Sequence, residues 1–281
     1  MTYMEDDQCV RFLQWLLPQL HMRWQGFRKV RKQVCKRIQR RISELELTDV
    51  DAYRQYLLTH ADEWRILDHS CRVTVSRFYR DKVVLEHVCT EVLPELAEAA
   101  IAAGDTTLRS WSAGCAMGEE AYSLILIWDK SAGIGYPQLD IEIVGSDIDE
   151  LLLQKAIRAC YTYGSIKALP GSWLRSAFTQ QNNEYCLESR LRNKACFIRQ
   201  DIRDRHIKGP FDIVFCRNMA FTYFDNALQT EMLDYIHHTL VDGGALVIGG
   251  HESLPDGFSG FEQWSRQRAI FRKKLTVNIE Q

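Results

Sequence analysis

Beyond residue 105 the chain alternates short apolar runs with amphipathic stretches, and this alternation constrains the fold more than any other feature. Residues 107–114 (TLRSWSAG) read as a strand entering a turn, 119–130 (EEAYSLILIWDK) as a helix, and 139–149 (LDIEIVGSDID) as a second strand. A helix follows at 150–161, a third strand at 211–218 (FDIVFCRN), a helix at 227–240 and a further strand at 244–250 (GALVIGG). Strands separated by helices pair in parallel, because each helix carries the chain back across a sheet face. The predicted fold class is α/β, with a mostly parallel, doubly wound sheet. Residues 182–202 read as two short strands around a polar turn, either a side hairpin or part of the sheet. The tail at 267–277 (QRAIFRKKLTV) reads as an antiparallel edge strand.

The first seventy residues differ in texture. They read as helices: 11–20 breaks at Pro18, and 26–47 places Phe27, Val30, Val34, Ile38 and Ile42 on one face at steps of three and four. Thr48 or Asp49 caps the next helix. The predicted organisation is a small all-α domain over 1–72 and a larger domain over 73–281.

Charge matters locally rather than globally. The net charge of the 281 residues is −2, yet no Asp or Glu lies between Gln8 and Ser43, and nine Lys or Arg lie from Arg23 to Arg41. A solvated face is the usual meaning of such a run; an anionic partner is the sharper one. No run of 18 apolar residues exists and the N-terminus lacks a secretory pattern, so neither membrane insertion nor export is expected and a cytoplasmic location is. The nine cysteines include no Cys-x-x-Cys pair, which favours reduced thiols and argues against a metal site.

In a doubly wound sheet, ligands bind at the carboxyl ends of the strands. Gly114 and Gly118 flank the turn after the first strand in WSAGCAMGEEAYS, and Asp147 ends the second strand. An acid there accepts from ribose hydroxyls; its bland alternative is a helix N-cap. The dinucleotide pattern Gly-x-Gly-x-x-Gly is absent. Glu119 and Glu120 open the next helix, where a pyrophosphate would be repelled, so an adenosine cofactor with a cationic end fits better. S-adenosylmethionine is such a cofactor. For Glu119 a solvated acid stabilising the helix dipole is the favoured reading.

Taken together, FRKVRKQVCKRIQRRI, SRFYRD, WSAGCAMGEEAYS, SDIDELLLQKAIRACY, FDIVFCRN and TYFD resemble the CheR family, the chemotaxis receptor glutamate methyltransferases. The resemblance runs from about residue 26 to about 252. It implies an N-terminal helical domain and a Rossmann-like class I methyltransferase domain, with a small β-subdomain placed at about 183–200. It implies methyl transfer from S-adenosylmethionine to glutamate side chains of a protein, leaving S-adenosylhomocysteine. By matching stretches it assigns cofactor contacts to Thr74, Ser76, Arg80, Glu120, Asp147, Asp201, Ile202, Arg217 and Asn218, beside Gly114, which is read from the turn itself. Arg80 and Tyr223 are the catalytic candidates, Arg80 as a two-pronged clamp on the acceptor carboxylate and Tyr223 as an orienting donor. Their bland alternatives are an ion pair of Arg80 with Asp81 or Glu86, and a packing aromatic at Tyr223. His251 and Glu252 read as loop residues. The basic helix 23–41 would dock an acidic protein substrate, with nucleic acid the less favoured partner.

The sequence departs from the family pattern at Tyr79, Ala121, Asp201–Ile202, and in FCRNMAFTYFD, which has one residue more than usual before Tyr223. Two other readings therefore remain: a methyltransferase acting on a small molecule or nucleic acid, and a cofactor-binding module without catalysis.

Overall fold

The computed structural model describes residues 4–264 and 269–275. It divides into two compact units. One comprises 1–75 with 222–228, the other 76–221 with 229–281.

The first unit is helical. Asp6–Leu16 forms its first helix, and a 3-10 turn at Leu17–Leu20 takes in Pro18, whose ring cannot continue the α ladder. Arg31–Glu44 buries Val34, Ile38 and Ile42 of the predicted apolar face, whereas Phe27 lies in a separate short helix, Trp24–Phe27, and Val30 in the turn between the two. Val50–Thr59 starts at Asp49, which caps it by accepting from the Ala52 amide, so Asp49 rather than Thr48 is the cap. Glu63–Cys71 follows. Phe12, Leu13, Leu16, Phe27, Ile38, Tyr53 and Leu57 form a continuous core against which Tyr223 packs.

The second unit holds a seven-stranded sheet in the order β6-β2-β1-β7-β8-β10-β9. Its strands are β1 (Thr107–Ala113), β2 (Asp140–Asp147), β6 (Ala195–Arg199), β7 (Phe211–Phe215), β8 (Leu240–Val247), β9 (Phe261–Gln263) and β10 (Ile270–Lys273). The first five in space are parallel; β10 and β9 are antiparallel. The fold class read from the alternation is the one observed. β1 and β7 are buried almost throughout, as expected of central strands covered on both faces. The tail strand lies one position inside the edge because β9 pairs outside it, and residues 267–268 and 276–277 lie outside the described residues.

Residues 183–200 do not make one subdomain. Glu184–Leu187 (β5) joins β3 (Cys160–Thr162) and β4 (Phe178–Gln181) in a separate antiparallel sheet ordered β3-β5-β4. β6 instead extends the main sheet beside β2. Both alternatives for this stretch are thus realised, one per strand.

Four of the nine cysteines lie in two close pairs. The sulfurs of Cys9 and Cys35 meet within the helical unit, and those of Cys160 and Cys186 meet across β3 and β5.

Candidate functional site: the switch-point crevice

The chain runs outward from β1 through β2 to β6, then returns to β7 on the other side of β1. The order of winding therefore reverses between β1 and β7, and a doubly wound sheet opens its ligand crevice at that point. The residues leaving β1 are Gly114–Gly118, and those leaving β7 are Cys216, Arg217 and Asn218.

Gly114 and Gly118 have φ of +72° and +85°, with Ala116 between them at +50°. A side chain on Gly114 would press on Met219 at 3.2 Å, and one on Gly118 on Ala156, Phe197 and Tyr122 at 3.0–3.1 Å. Glycine is required at both by backbone and by space.

Asp147 closes this turn. Its Oδ2 accepts from the Ala116 amide at 2.9 Å and its Oδ1 from the Asp149 amide at 3.0 Å. The capping alternative belongs to its neighbour: Asp149 caps helix Glu150–Arg158 by accepting from Leu151 and Leu152. Asp147 is thereby left at the strand end with its carboxylate held by two backbone donors.

On the β7 side the organising residue is Arg217, with only 2% of its side chain exposed. It donates to Glu120 Oε2 at 3.0 Å, to Asp81 Oδ2 at 2.8 Å and to the Arg80 carbonyl at 2.7 Å. Ser112 donates to the other oxygen of Glu120 at 2.7 Å. Asp81 is part of this network but was not among the site residues read from the sequence. Burial alone would raise its carboxyl pKa, but Arg217 and a hydrogen bond from Asn218 hold it below the usual range. Asp81 pairs with Arg217 and Glu86 with Lys82, and the nearby Arg80 charge also lowers the Asp81 pKa. Tyr79 and Asp81 both have positive φ, at 56° and 57°, so Arg80 is carried between two left-handed residues.

Asn218 is also left-handed, at φ 56°. Its amide and that of Gly249 both donate to Glu252 Oε2, at 2.8 and 2.6 Å. Glu252, read from sequence as a loop residue, ties the exit of β7 to the exit of β8. A single helical turn, Ala220–Tyr223, follows Asn218.

Glu119 corrects a reading. It is fully buried rather than solvated. Its Oε1 accepts from Ser165 at 3.0 Å, Ser76 also hydrogen-bonds to it, and its Oε2 has no partner among the described residues. Burial raises its pKa, against the opposing pull of those hydrogen bonds. It joins the Ser76–Asp81 loop to the segment after β3.

Of the remaining assigned residues, Asp201 and Ile202 follow β6, where the Gln200 amide bonds the Asp147 carbonyl at 2.9 Å. Asp201 caps the turn Ile202–Asp204 and forks with Arg203, and Ile202 is buried. Thr74 and Tyr223 belong to the helical unit. There the Tyr223 ring packs on Phe27 with centroids 5.0 Å apart, and its carbonyl accepts from the Arg23 amide.

The basic run also changes in meaning. Arg23 bonds the Thr222 carbonyl, Arg31 pairs with Asp6, Arg37 with the carbonyls of Ser70 and Arg72, and Arg41 forks onto Glu63. Arg40 meets Glu44. The acids come from outside the acid-free window. Arg28, Lys29, Lys32 and Lys36 are exposed and have no ion pair among the described residues. Among those residues no cluster of three or more His, Cys, Asp or Glu could hold a metal, and no helix is long and apolar enough to cross a membrane.

A reversal-point crevice with a glycine turn on one strand and a held acid on the next defines a Rossmann-like binder of a nucleoside cofactor. Residues 74–270 match the family described as "CheR methyltransferase, SAM binding domain". The chain is 30% identical over 228 residues to chemotaxis protein methyltransferase 2 of Vibrio cholerae, covering 76% of each. It is 28% identical over 232 residues to the chemotaxis protein methyltransferase of Escherichia coli, covering 80% of this chain and 77% of that one. With the Listeria monocytogenes relative it is 28% identical over 182 residues, spanning 65% of this chain and 66% of that one. The chain belongs to the CheR methyltransferase family, and it is an S-adenosylmethionine-dependent methyltransferase.

The residues present suit that cofactor. Asp147 offers a fixed carboxylate to hydroxyls, and the buried Arg217 Nε has no hydrogen-bond partner among the described residues.

Proposed function

We propose that the enzyme methylates glutamate carboxylates of an acidic protein, forming methyl esters. The observation carrying this reading is the loop that presents Arg80. Its carbonyl is bonded to Arg217, which also binds Glu120, so the candidate acceptor clamp and a candidate cofactor ligand share one buried guanidinium. Asp147 and Glu120 are assigned to hold the cofactor, with Thr74, Ser76, Asp201, Ile202 and Asn218 as further contacts. When bound, S-adenosylmethionine supplies an electrophilic methyl group on a sulfonium. A glutamate acceptor is already ionised at neutral pH, so no side chain of this protein has to take a proton. Arg80 aims one carboxylate oxygen by holding the group in its fork, and Tyr223 donates to the acceptor; what they contribute is orientation. The names of the chemotaxis relatives point to a protein substrate in the same sense. Arg28, Lys29, Lys32 and Lys36 offer the face on which an acidic protein docks.

The test is incubation with methyl-labelled S-adenosylmethionine and a whole-protein acceptor pool, followed by mild base. Wild type releases labelled methanol; Arg80→Ala lowers the rate by about a hundredfold or more, and Tyr223→Phe lowers it less. Label that is base-stable, or that appears in nucleic acid or a small molecule, overturns the proposal.

A further inference from the structure

Beside the Arg80 loop, within the second unit, lies a cavity of about 420 Å³ lined by Arg77, Tyr79, Asp81, Lys82, Ser165 and Lys167, among others. Three of these are cationic. Arg77 and Lys167 are exposed and have no ion pair among the described residues, and Lys82 meets only Glu86, at 3.4 Å on the solvent side. The single acid in the wall, Asp81, is already matched by Arg217 and Asn218. The wall therefore carries uncompensated positive charge facing a concave space. Tyr79 adds a hydroxyl group, whereas that of Ser165 is already donated to Glu119. Such a wall recognises an anion.

The walls are also built firmly. The Phe78 amide bonds the Ser165 carbonyl at 3.1 Å and the Tyr79 amide bonds Ser123 Oγ at 3.0 Å. Phe78 is fully buried against Tyr161 and Phe178, and the Tyr79 ring meets Trp173 edge-on at 5.7 Å. The loop from Arg77 to Lys82 and the segment around Ser165 are thus held as one scaffold.

We infer that this cavity is an anion subsite taking a second carboxylate of the acidic methyl acceptor, next to the one that Arg80 holds. The inference rests on the acceptor being an acidic protein. It commits to the acceptor because Tyr79 and Asp81, which line the cavity, are the immediate neighbours of Arg80 in the chain. The subsite therefore selects acceptors with clustered acids over an isolated glutamate.

The probe is acetyl-triglutamate amide, titrated calorimetrically into full-length protein saturated with S-adenosylhomocysteine, with acetyl-triglutamine amide and inorganic phosphate in parallel. Arg77→Ala/Lys167→Ala is expected to weaken triglutamate binding about five- to tenfold, and Lys155→Ala/Lys208→Ala, which removes the same charge from exposed positions outside the cavity, much less. S-adenosylhomocysteine affinity should be equal in all three proteins, which verifies the fold. Absence of triglutamate binding by wild type, equal binding in the Arg77/Lys167 variant, or equal binding of triglutamine overturns the inference. Phosphate binding that depends on Arg77 and Lys167 without triglutamate binding also overturns it, leaving a small-anion site. Because the readout is equilibrium binding, it fails or succeeds separately from methyl ester formation.

Discussion

Arg217 and Glu120 form a 3.0 Å ion pair in which the arginine is almost fully buried and the glutamate is partly open. The arginine's other nitrogen is occupied by Asp81 and the Arg80 carbonyl. Lysine cannot reproduce that three-way fork. Arg217→Lys should weaken S-adenosylhomocysteine binding about tenfold or more, because Glu120 loses its fixed direction. Arg217→Met leaves Asp81 and Glu120 without their cation and should cost about 3–5 kcal/mol of stability. Calorimetric titration and urea unfolding measure the two effects. Unchanged cofactor affinity in Arg217→Lys would separate the pair from the cofactor site.

Asp147 and Asp149 stand two residues apart and do different things. Asp147→Ala should abolish measurable micromolar binding of S-adenosylhomocysteine. Asp149→Ala removes a helix cap and should cost about 1 kcal/mol of stability while leaving cofactor affinity nearly intact. A thermal scan and a titration on each variant check this. The reverse pattern would move the ribose role away from Asp147.

Glu119 makes stability depend on pH in the direction opposite to an ordinary surface acid. Burial raises its folded pKa above the ordinary value of 4.5, so between those two values the folded chain binds more protons than the unfolded one. Stability from this residue is therefore complete below about pH 4.5 and is lost as pH rises through the folded value. Asp212, also raised by burial, acts in the same direction. Glu119→Gln keeps the shape and removes the titration. The difference in unfolding free energy, variant minus wild type, should grow as pH rises above about 4.5 and level off once the folded carboxyl is ionised. A flat difference would contradict a buried, proton-binding Glu119.

In the helical unit, Arg41 forks onto Glu63, whose Oε1 also accepts from Tyr53 at 2.8 Å. The Arg41 hydrogen bonds hold Glu63 below its usual range despite its burial. Arg41→Ala strands that carboxylate and should cost about 3 kcal/mol. Arg41→Ala/Glu63→Gln should recover part of it, as a double-mutant cycle in urea would show.

Much of this was legible in the sequence because periodicity and strand ends are local properties. The helix at Glu119–Lys130 begins and ends where its pattern does, and Gly114 and Asp147 fall at the ends of β1 and β2 as read. What was not legible depends on partners far along the chain. The charge run at 23–41 looked unopposed because Asp6 and Glu63, outside the acid-free window, fold back onto it. Asp81 bonds Arg217, 136 residues away, a pairing that no local pattern announces. Glu119 and Glu120 are adjacent and chemically identical, and only the turn of the helix decides that one is sealed in and the other reaches Arg217. The strand at 195–199 could not be told from a hairpin arm, because pairing with β2 is a non-local event.

Residues 222–228 return to the helical unit after more than half of the chain has passed through the other one. The helical unit is therefore not an N-terminal module in the genetic sense. A gene fragment ending near codon 75 would encode a core in which Phe27 has lost the ring of Tyr223. The two units can diversify in sequence, but recombination cannot exchange either as a single uninterrupted cassette.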